Sequence, residues 1–247
     1  MKFSLLLLSF YCAFNFVDSK IVDNSWVTVS RITRFKKDVE NDNNDYIYAC
    51  GEEFMETKCK CDKNILDCNF NGLQNLNIHI ITENFTVKFA KFNNNGITIL
   101  KKKWILPGRE YSIQKLDFSK NKISMIENGT FDEFKKLEEL ILIGNQLTNI
   151  NENILTESLG KTLIHLDLKE NKLQEINAKT FVNMKKLEYL SLSMNPSLMP
   201  YLNKNVFSTS LANLKHLDLT WCNISTLEDD IFENLNIRYP MLFKTID

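Results

Sequence analysis

A regular recurrence of asparagine constrains the fold of this chain more than any other feature of its sequence. Successive members are separated by 24, 26, 24, 26 and 24 residues, and a cysteine takes the last place 27 residues further on. Such a period indicates repeated coils that each leave an apolar face for the next coil to cover. The members of this predicted ladder are Asn71, Asn95, Asn121, Asn145, Asn171, Asn195 and Cys222.

The residues around each ladder position share one apolar pattern. Its clearest copy runs from Ile113 to Ile126 and has the form I-x-x-L-x-F-x-x-N-x-I-x-x-I. The pattern L-x-x-L-x-L-x-x-N/C-x-L with a period of roughly 20 to 29 residues is the signature of a leucine-rich-repeat solenoid. We therefore predict an α/β repeat solenoid, a leucine-rich-repeat horseshoe with short parallel strands on its concave face. Further copies begin at Val87, Leu137, Leu163, Leu187 and Leu214.

Elementary physical chemistry explains why these residue types recur. Alternate side chains of a strand point to one face, so each coil places its leucines inward against the next coil. An amide both donates and accepts hydrogen bonds, so a buried asparagine can satisfy the backbone where the chain turns after the strand. The small thiol of Cys222 suits the same position. A second apolar set is expected on the far side of the coils: Ile126, Phe131, Phe134, Ile176, Phe181, Met184, Leu227, Phe232 and Leu235.

Composition and charge exclude several classes of function. Of the 247 residues, 44% are hydrophobic and 25% are charged, which is typical of a folded protein rather than a disordered one. A formal net charge of -1 creates no field that favours nucleic acid or an anionic membrane. The chain has only 7 glycines and no stretch that resembles a phosphate-binding loop. We expect neither a nucleic-acid partner nor a cofactor.

Residues 1–19 have the pattern of a secretory signal peptide. Lys2 precedes an apolar run that ends near Val17, and small residues follow at the expected cleavage site. An uncleaved membrane anchor is the alternative, although the run is short for a bilayer span, and we expect no later segment to insert. The pattern predicts a secreted, extracellular protein. Residues 20–49 form an N-terminal arm, either with an edge strand or poorly ordered.

Four cysteines follow this arm within a short stretch. They are spaced C-x8-C-x-C-x6-C from Cys50 to Cys68, which in an exported chain predicts a disulfide framework. A zinc site is the alternative, but the C-x-C pair is tighter than the usual zinc knuckle. Cys222 is left over. It is either a buried ladder thiol or the bridge of a disulfide-linked homo- or heterodimer.

The C-x-C-x6-C motif before the first repeats resembles the amino-terminal cap of extracellular leucine-rich-repeat proteins. Toll-type receptors, Slit-type guidance ligands and small leucine-rich proteoglycans belong to that group, and the resemblance extends over residues 50–235. It implies that the first cysteine pairs with the third and the second with the fourth, as Cys50–Cys61 and Cys59–Cys68. Sequence alone allows three connectivities. Such a cap would cover the apolar end of the solenoid.

These features divide the chain after the arm into three parts. They are a cysteine-rich cap over residues 50–76, repeats over 77–237 and a tail or truncated repeat over 238–247. No second cysteine cap, membrane span or further domain follows the repeats in this sequence. We therefore expect either a short secreted protein or the ectodomain fragment of a membrane receptor.

Three N-x-S/T sequons predict glycosylation of an exported chain. They begin at Asn84, Asn128 and Asn223. The repeat pattern places Asn128 and Asn223 on turns away from the strand face, so glycans there would leave that face free. The alternative is that the sequons arise by chance and are unused.

Function in such a fold is expected on the exposed strand positions of the concave face. Mixed charge together with three large side chains towards the carboxyl-terminal half is typical of a protein-binding surface, and a merely solvated strand face is the alternative. The predicted ligand-binding residues are Lys115, Asp117, Glu139, Ile141, His165, Asp167, Tyr189, Met194, His216, Asp218 and Trp221.

Two His-x-Asp pairs on this face raise the question of catalysis. His165 and His216 lie two coils apart, which is about 10 Å at strand spacing. That is too far for one metal ion, whose ligands lie about 2 Å from it. We therefore predict no enzyme and no metal site, but a protein that binds a protein ligand or co-receptor. The resemblance implies innate recognition, signalling or cell adhesion, and a structural matrix component is the alternative.

Overall fold

The computed structural model describes a stack of coils, each with a short strand. The described residues are 47–50, 59–80, 82, 84–198, 201–202, 204–222, 226–227 and 230–236. The predicted signal peptide, the tail over 238–247 and most of the predicted arm lie outside them. The strands are β1 (Ile47–Ala49), β2 (Lys60–Asp62), β3 (Ile65–Asp67), β4 (Ile78–Ile80), β5 (Phe89–Lys91), β6 (Ile99–Leu100), β7 (Lys115–Asp117), β8 (Met125–Ile126), β9 (Glu139–Ile141), β10 (His165–Asp167), β11 (Tyr189–Ser191), β12 (Tyr201–Leu202), β13 (His216–Asp218) and β14 (Thr226–Leu227).

Eight of these strands form one sheet along the stack. Their order is β2, β3, β5, β7, β9, β10, β11 and β13, with every pair parallel except the antiparallel pair of β2 with β3. Equivalent residues of successive coils align, as Leu116 does with Leu140 and Leu140 with Leu166. The predicted leucine-rich-repeat solenoid with short parallel strands is confirmed. The remaining strands form parallel pairs of β1 with β4, β6 with β8 and β12 with β14.

Turns and short helical segments return the chain from one strand to the next. The helix α1 (Glu157–Gly160) begins where the Thr156 side chain accepts a hydrogen bond from the backbone N–H of Leu159. None of the described helical segments is long and apolar enough to cross a bilayer. The 3₁₀ segments are Glu110–Ser112, Lys204–Phe207 and Thr209–Leu211.

A continuous apolar core runs through the coils. The inward leucines are fully buried, as the alternation along each strand predicts. The rings of Phe92 and Phe118 stack across two coils with centroids 5.2 Å apart. On the returning side, the first two predicted apolar groups are buried, including Phe131 and Phe181, so apolar contact closes these coils on both sides. The last predicted group is only half-buried and packs against the core: Leu227, Phe232 and Leu235.

The asparagine ladder lies buried at the turns after β5, β7, β9, β10 and β11. The first predicted member, Asn71 after β3, is only half-buried, and its backbone N–H donates to Asn95 Oδ1. In its central member, Asn145 Nδ2 donates to the carbonyls of Phe118 and Leu142 at 3.0 Å, and Oδ1 accepts from the Ile123 N–H at 3.0 Å. Because two of these three partners belong to the preceding coil, each amide joins neighbouring coils. The same pattern recurs at Asn95, Asn121, Asn171 and Asn195.

Two disulfides close the amino-terminal end of the described solenoid. Cys50 is bonded to Cys61 and Cys59 to Cys68. The connectivity implied by the family resemblance is confirmed, and the zinc alternative fails because the four sulfurs are bonded to one another. Cys59 and Cys68 are buried in the core, so the cap packs directly on the first coil.

Candidate protein-binding face

The exposed face of the eight-stranded sheet, hereafter the open face, carries the predicted site residues in rows. Strand pairing aligns equivalent positions of successive coils, so each row crosses the sheet from coil to coil. The first row contains Phe89, Lys115, Glu139, His165, Tyr189 and His216. The second row contains Asp67, Lys91, Asp117, Ile141, Asp167, Ser191 and Asp218.

Three rings of the first row form a stack. The centroids of His165 and Tyr189 are 4.0 Å apart with planes 4° from parallel, and those of Tyr189 and His216 are 4.7 Å apart at 3°. Strands about 4.8 Å apart bring rings of equal register into this contact. All three side chains are half-buried, so part of each remains accessible to a partner. We call this group the ring stack.

The ring stack contains both histidines that the sequence analysis judged too far apart to share one metal ion. The Tyr189 ring lies between them, so their imidazoles contact opposite faces of one phenol. Among the described residues, no group of three or more His, Cys, Asp or Glu side chains is arranged to hold a metal ion. His165 and His216 are therefore packed against Tyr189 as part of the protein surface.

The aspartates of the second row stabilise the turns that follow their strands. Asp117 Oδ1 accepts from the Ser119 N–H at 3.0 Å and from its hydroxyl at 2.6 Å. Asp218 Oδ1 accepts from the Thr220 N–H at 3.0 Å and from its hydroxyl at 2.8 Å. Asp167 Oδ1 accepts from the backbone N–H two residues on, also at 3.0 Å. One oxygen of each carboxylate is thus used locally, as in an Asx turn.

Burial shifts the pKa values of groups in and beside the ring stack. Desolvation raises the pKa of Asp167, which is 8% exposed, because water no longer solvates its charge. Desolvation also lowers the pKa of His165, against the opposing effect of the charges on Asp167 and Glu139. The pKa of Tyr189 is raised by burial and then by the charges of Asp167 and Asp218. At neutral pH the surface therefore favours a neutral His165.

Ion pairs flank the ring stack. Lys115 Nζ lies 2.6 Å from Glu139 Oε2 in the first row, and Lys215 Nζ lies 2.6 Å from Glu188 Oε2 beside β11 and β13. All four side chains are partly exposed, so each pair contributes at most about 1 kcal/mol to stability. Their larger effect is to neutralise one another at the borders of the stack.

Comparison with known families identifies the repeats. The family model of the BspA-type leucine-rich-repeat region matches residues 109–238 in six copies. The chain belongs to this leucine-rich-repeat family. The match includes every strand from β7 to β14, and therefore the ring stack. Repeats of this kind are protein-interaction scaffolds, typically without enzymatic activity, so the protein is a protein-interaction repeat protein.

A third row follows the second, two residues further along each coil, and contains Ser119, Ile143, Lys169, Ser193 and Thr220. A fourth row lies at the turn after each strand of this leucine-rich-repeat protein. Its members directly precede the ladder positions and all have a positive φ, between 56° and 67°. Met194 is 41% exposed and Trp221 44%, so both predicted contact residues stand out from the face. The row contains Phe70, Asn94, Lys120, Gly144, Glu170, Met194 and Trp221.

Two exposed aromatic residues of the open face were missed by the sequence prediction. Phe70 is 76% exposed in the fourth row, and Phe89 is 37% exposed in the first. The signal was present: Leu66 and Cys68 stand five and three residues before Asn71, which extends the repeat pattern back by one coil. That extension places Phe70 in the fourth row.

Cys222 occupies the last ladder position of the described repeats. It is 3% exposed, and its thiol donates to the Leu192 carbonyl at 3.0 Å. Burial raises the pKa of the thiol to about 11, so the reactive thiolate is scarce at neutral pH. These facts support the buried ladder thiol over the intermolecular disulfide.

The two predicted glycosylation sites that the structure describes lie away from the rows. Asn84 is exposed before β5, and Asn128 is exposed on the turn after β8. Asn223 lies outside the described residues. Glycosylation at all three remains a prediction.

Proposed function

We propose that this leucine-rich-repeat protein is exported and captures another protein across the open face, without enzymatic activity. The observation that carries the proposal is the ring stack. It presents three preorganised rings next to large exposed side chains of the fourth row.

The physical argument rests on the cost of ordering a surface. Aromatic residues supply much contact area while few rotatable bonds have to be fixed, which is why they dominate binding hot spots. In this protein Tyr189 is already held between two imidazoles, so little conformational entropy remains to be lost on binding. Met194 and Trp221 follow on the same coils, and Met adapts easily to irregular partners.

Export is supported by the two disulfides together with the predicted signal peptide. Disulfides form and persist in oxidising compartments and are rare in the cytosol. A role in innate recognition, signalling or adhesion follows from the resemblance of the cap to that of extracellular leucine-rich-repeat proteins. In that role the protein ligand or co-receptor would contact the carboxyl-terminal half of the open face.

Paired substitutions test the binding proposal. Tyr189→Ala combined with Trp221→Ala removes the central ring and the exposed indole, and we expect capture of a crosslinked, purified partner to fall at least about tenfold. Tyr111→Ala is the matched control, because Tyr111 is 59% exposed but lies on the 3₁₀ segment before β7. Unchanged capture by the double variant would place the interaction elsewhere.

The cellular location has its own test. An antibody against the repeats is applied to cells and to the surrounding fluid, with and without glycosidase and reductant. We expect a soluble band slightly below the 28.9 kDa of the whole chain after deglycosylation. A much larger membrane-bound band would make the sequence part of a receptor ectodomain, and a band only inside cells would contradict export.

A further inference from the structure

The charge of the surface around the ring stack depends on its two histidines. The ion pairs Lys115–Glu139 and Lys215–Glu188 neutralise themselves at its borders. Between them the second row contributes two carboxylates, Asp167 and Asp218, and the third row contributes the ammonium of Lys169. While both imidazoles are neutral, this surface therefore carries an excess of negative charge.

Protonation removes that excess. Histidine is the side chain that ordinarily changes charge between about pH 5 and 8. The exposed Glu138, whose carbonyl accepts from the His165 N–H, adds a third carboxylate, so two imidazolium groups would offset the excess over Lys169. The described rows of the open face contain no further histidine, so the change of charge depends on these two rings alone.

Each imidazole faces charged or aromatic groups on its own strand and on a neighbouring strand. His165 lies between Glu139 on β9 and Tyr189 on β11, with Asp167 on its own strand. Lys115 and His216 act on it from further along the rows, and both lower its pKa. His216 contacts Tyr189 and shares β13 with Asp218. Around His165 the nearest groups thus combine carboxylates, which favour protonation, with burial, which opposes it.

We propose that the open face around the ring stack docks a basic segment of a protein partner at neutral pH and releases it when His165 and His216 are protonated. This inference rests on the proposed function and specifies the chemistry of the partner and the signal for release. An arginine of such a segment finds the carboxylates of Asp167 and Asp218, which its planar guanidinium with five N–H donors can bind.

Binding of a partner would strengthen the electrostatic effect of histidine protonation. A partner that covers the stack excludes water, so each charge in the contact acts more strongly than on an open surface. Neutral imidazoles then provide apolar contact to the aliphatic part of a basic side chain, whereas imidazolium repels its charged end. Burial already lowers the pKa of His165, so the full effect requires a more acidic pH than an exposed histidine would need.

Peptide probes measure the effect without knowledge of the natural partner. The protein is titrated with a fluorescent peptide of alternating arginine and serine, and with its glutamate counterpart, at constant ionic strength. We expect the basic peptide to bind at about pH 7.5 and to bind roughly tenfold more weakly at about pH 5.5. In the His165→Gln/His216→Gln variant we expect the affinities at the two pH values to agree within about twofold.

Charge-neutralising variants test the carboxylates. In Asp167→Asn/Asp218→Asn the Oδ1 atoms that accept the turn hydrogen bonds are kept, while both charges are lost. We expect weaker binding of the basic peptide at neutral pH. Asp67→Asn is the matched control, since Asp67 Oδ1 makes the same kind of bond to the Asn69 N–H at 3.1 Å on the distant strand β3.

Several outcomes would overturn the inference. They are no binding of the basic peptide at neutral pH, equal binding at both pH values, a preference for the acidic peptide at neutral pH, or a pH effect that persists without the histidines. If the double histidine variant fails to fold, His216→Gln alone is expected to show a smaller change in affinity between the two pH values than the unchanged protein. The partner-capture experiment with Tyr189 and Trp221 is independent, so a failure of the switch leaves the proposed function intact.

Discussion

Two series of side chains run from coil to coil through this protein, and they differ in how far their residue types vary. The buried asparagine ladder repeats one residue type from Asn95 to Asn195. The first row of the open face repeats the backbone position but changes the residue in every coil, from Lys115 to His216. The same stacking of coils builds both series.

The difference follows from what each series contacts. A ladder amide contacts backbone groups, which are identical in every coil, so a single side chain satisfies all positions. A first-row side chain contacts other side chains, which differ from coil to coil, and the solvent, so ion pairs, rings and apolar groups all fit. The ladder therefore determines the fold, and the open face is where this chain differs from another with the same repeats.

Removing one ladder amide should have the largest effect on stability. Asn145→Ala leaves the buried Ile123 N–H without its partner, and the Phe118 and Leu142 carbonyls each lose one of two bonds, keeping those from Asn121 and Asn171 Nδ2. Losing the sole partner of a buried group costs about 1–3 kcal/mol and losing one of two bonds costs less, so we expect the free energy of unfolding to fall by about 2–4 kcal/mol. Urea denaturation followed by circular dichroism measures it.

The exposed asparagine of the same coil provides the control for this substitution. Asn149 is exposed beyond the ladder, and Asn149→Ala should change the unfolding free energy by about 0.5 kcal/mol or less. A comparable loss in both variants would mean that asparagine acts through the local turn and that the ladder does not join the coils.

The sequence was sufficient to predict the ladder and the rows, because both depend on spacing alone. A period of 24 to 27 residues determines which residues align, and the pairing of His165 with Tyr189 follows. The stack itself could not be predicted, since it depends on ring orientation, which spacing does not determine. The structural task of the second-row aspartates was missed, although Asp117-x-Ser119 and Asp218-x-Thr220 have the spacing of local turn bonds.

Substitution of Gly144, which lies between β9 and the ladder residue Asn145, should have the next largest effect on stability. Gly144 has φ +67°, and a Cβ there would lie 2.7 Å from Lys120 Cδ, where that lysine crosses the coil to pair with Glu170. We expect Gly144→Ala to lower the unfolding free energy by about 1–2 kcal/mol. The same denaturation assay measures it.

Gly108→Ala distinguishes the two causes of the loss expected for Gly144→Ala, which are backbone strain and displacement of the Lys120 side chain. Gly108 has a similar φ of +79°, but no atom lies within 4 Å of the position that a methyl group would take there. It should therefore report backbone strain alone. If Gly144→Ala is no more costly than Gly108→Ala, displacement of the Lys120 side chain contributes nothing.

Removing the central ring should affect stability less and binding more. Tyr189→Ala deletes two ring contacts, each worth about 0.5–1.5 kcal/mol when well packed, and partial exposure reduces that value. We expect a loss of about 1 kcal/mol in unfolding free energy. Tyr189→Phe keeps the stack and should remain within about 0.5 kcal/mol of the unchanged protein. A loss like that of Asn145→Ala would show that the first row also holds the coils together.

Substitution of Asp167 should have the smallest effect on stability. This residue combines a property of each series. Asp167 is buried like a ladder residue but charged like a surface residue, and burial raises the pKa of its carboxyl. A raised folded pKa means that its favourable contribution is present when the carboxyl is protonated, below its ordinary pKa of 3.8, and is lost as pH rises through the folded value. At neutral pH the buried charge therefore opposes folding.

Asp167→Asn should consequently be as stable as the unchanged protein at pH 7, or more stable by up to about 0.5 kcal/mol. The amide Oδ1 can still accept from the Lys169 N–H, so the turn is retained. The advantage should vanish in denaturation curves below about pH 3.8, because there the native carboxyl is neutral as well. A variant that is less stable at pH 7 would mean that attraction to His165 and Lys169 exceeds the cost of burial, and that the second row stabilises the coils through charge.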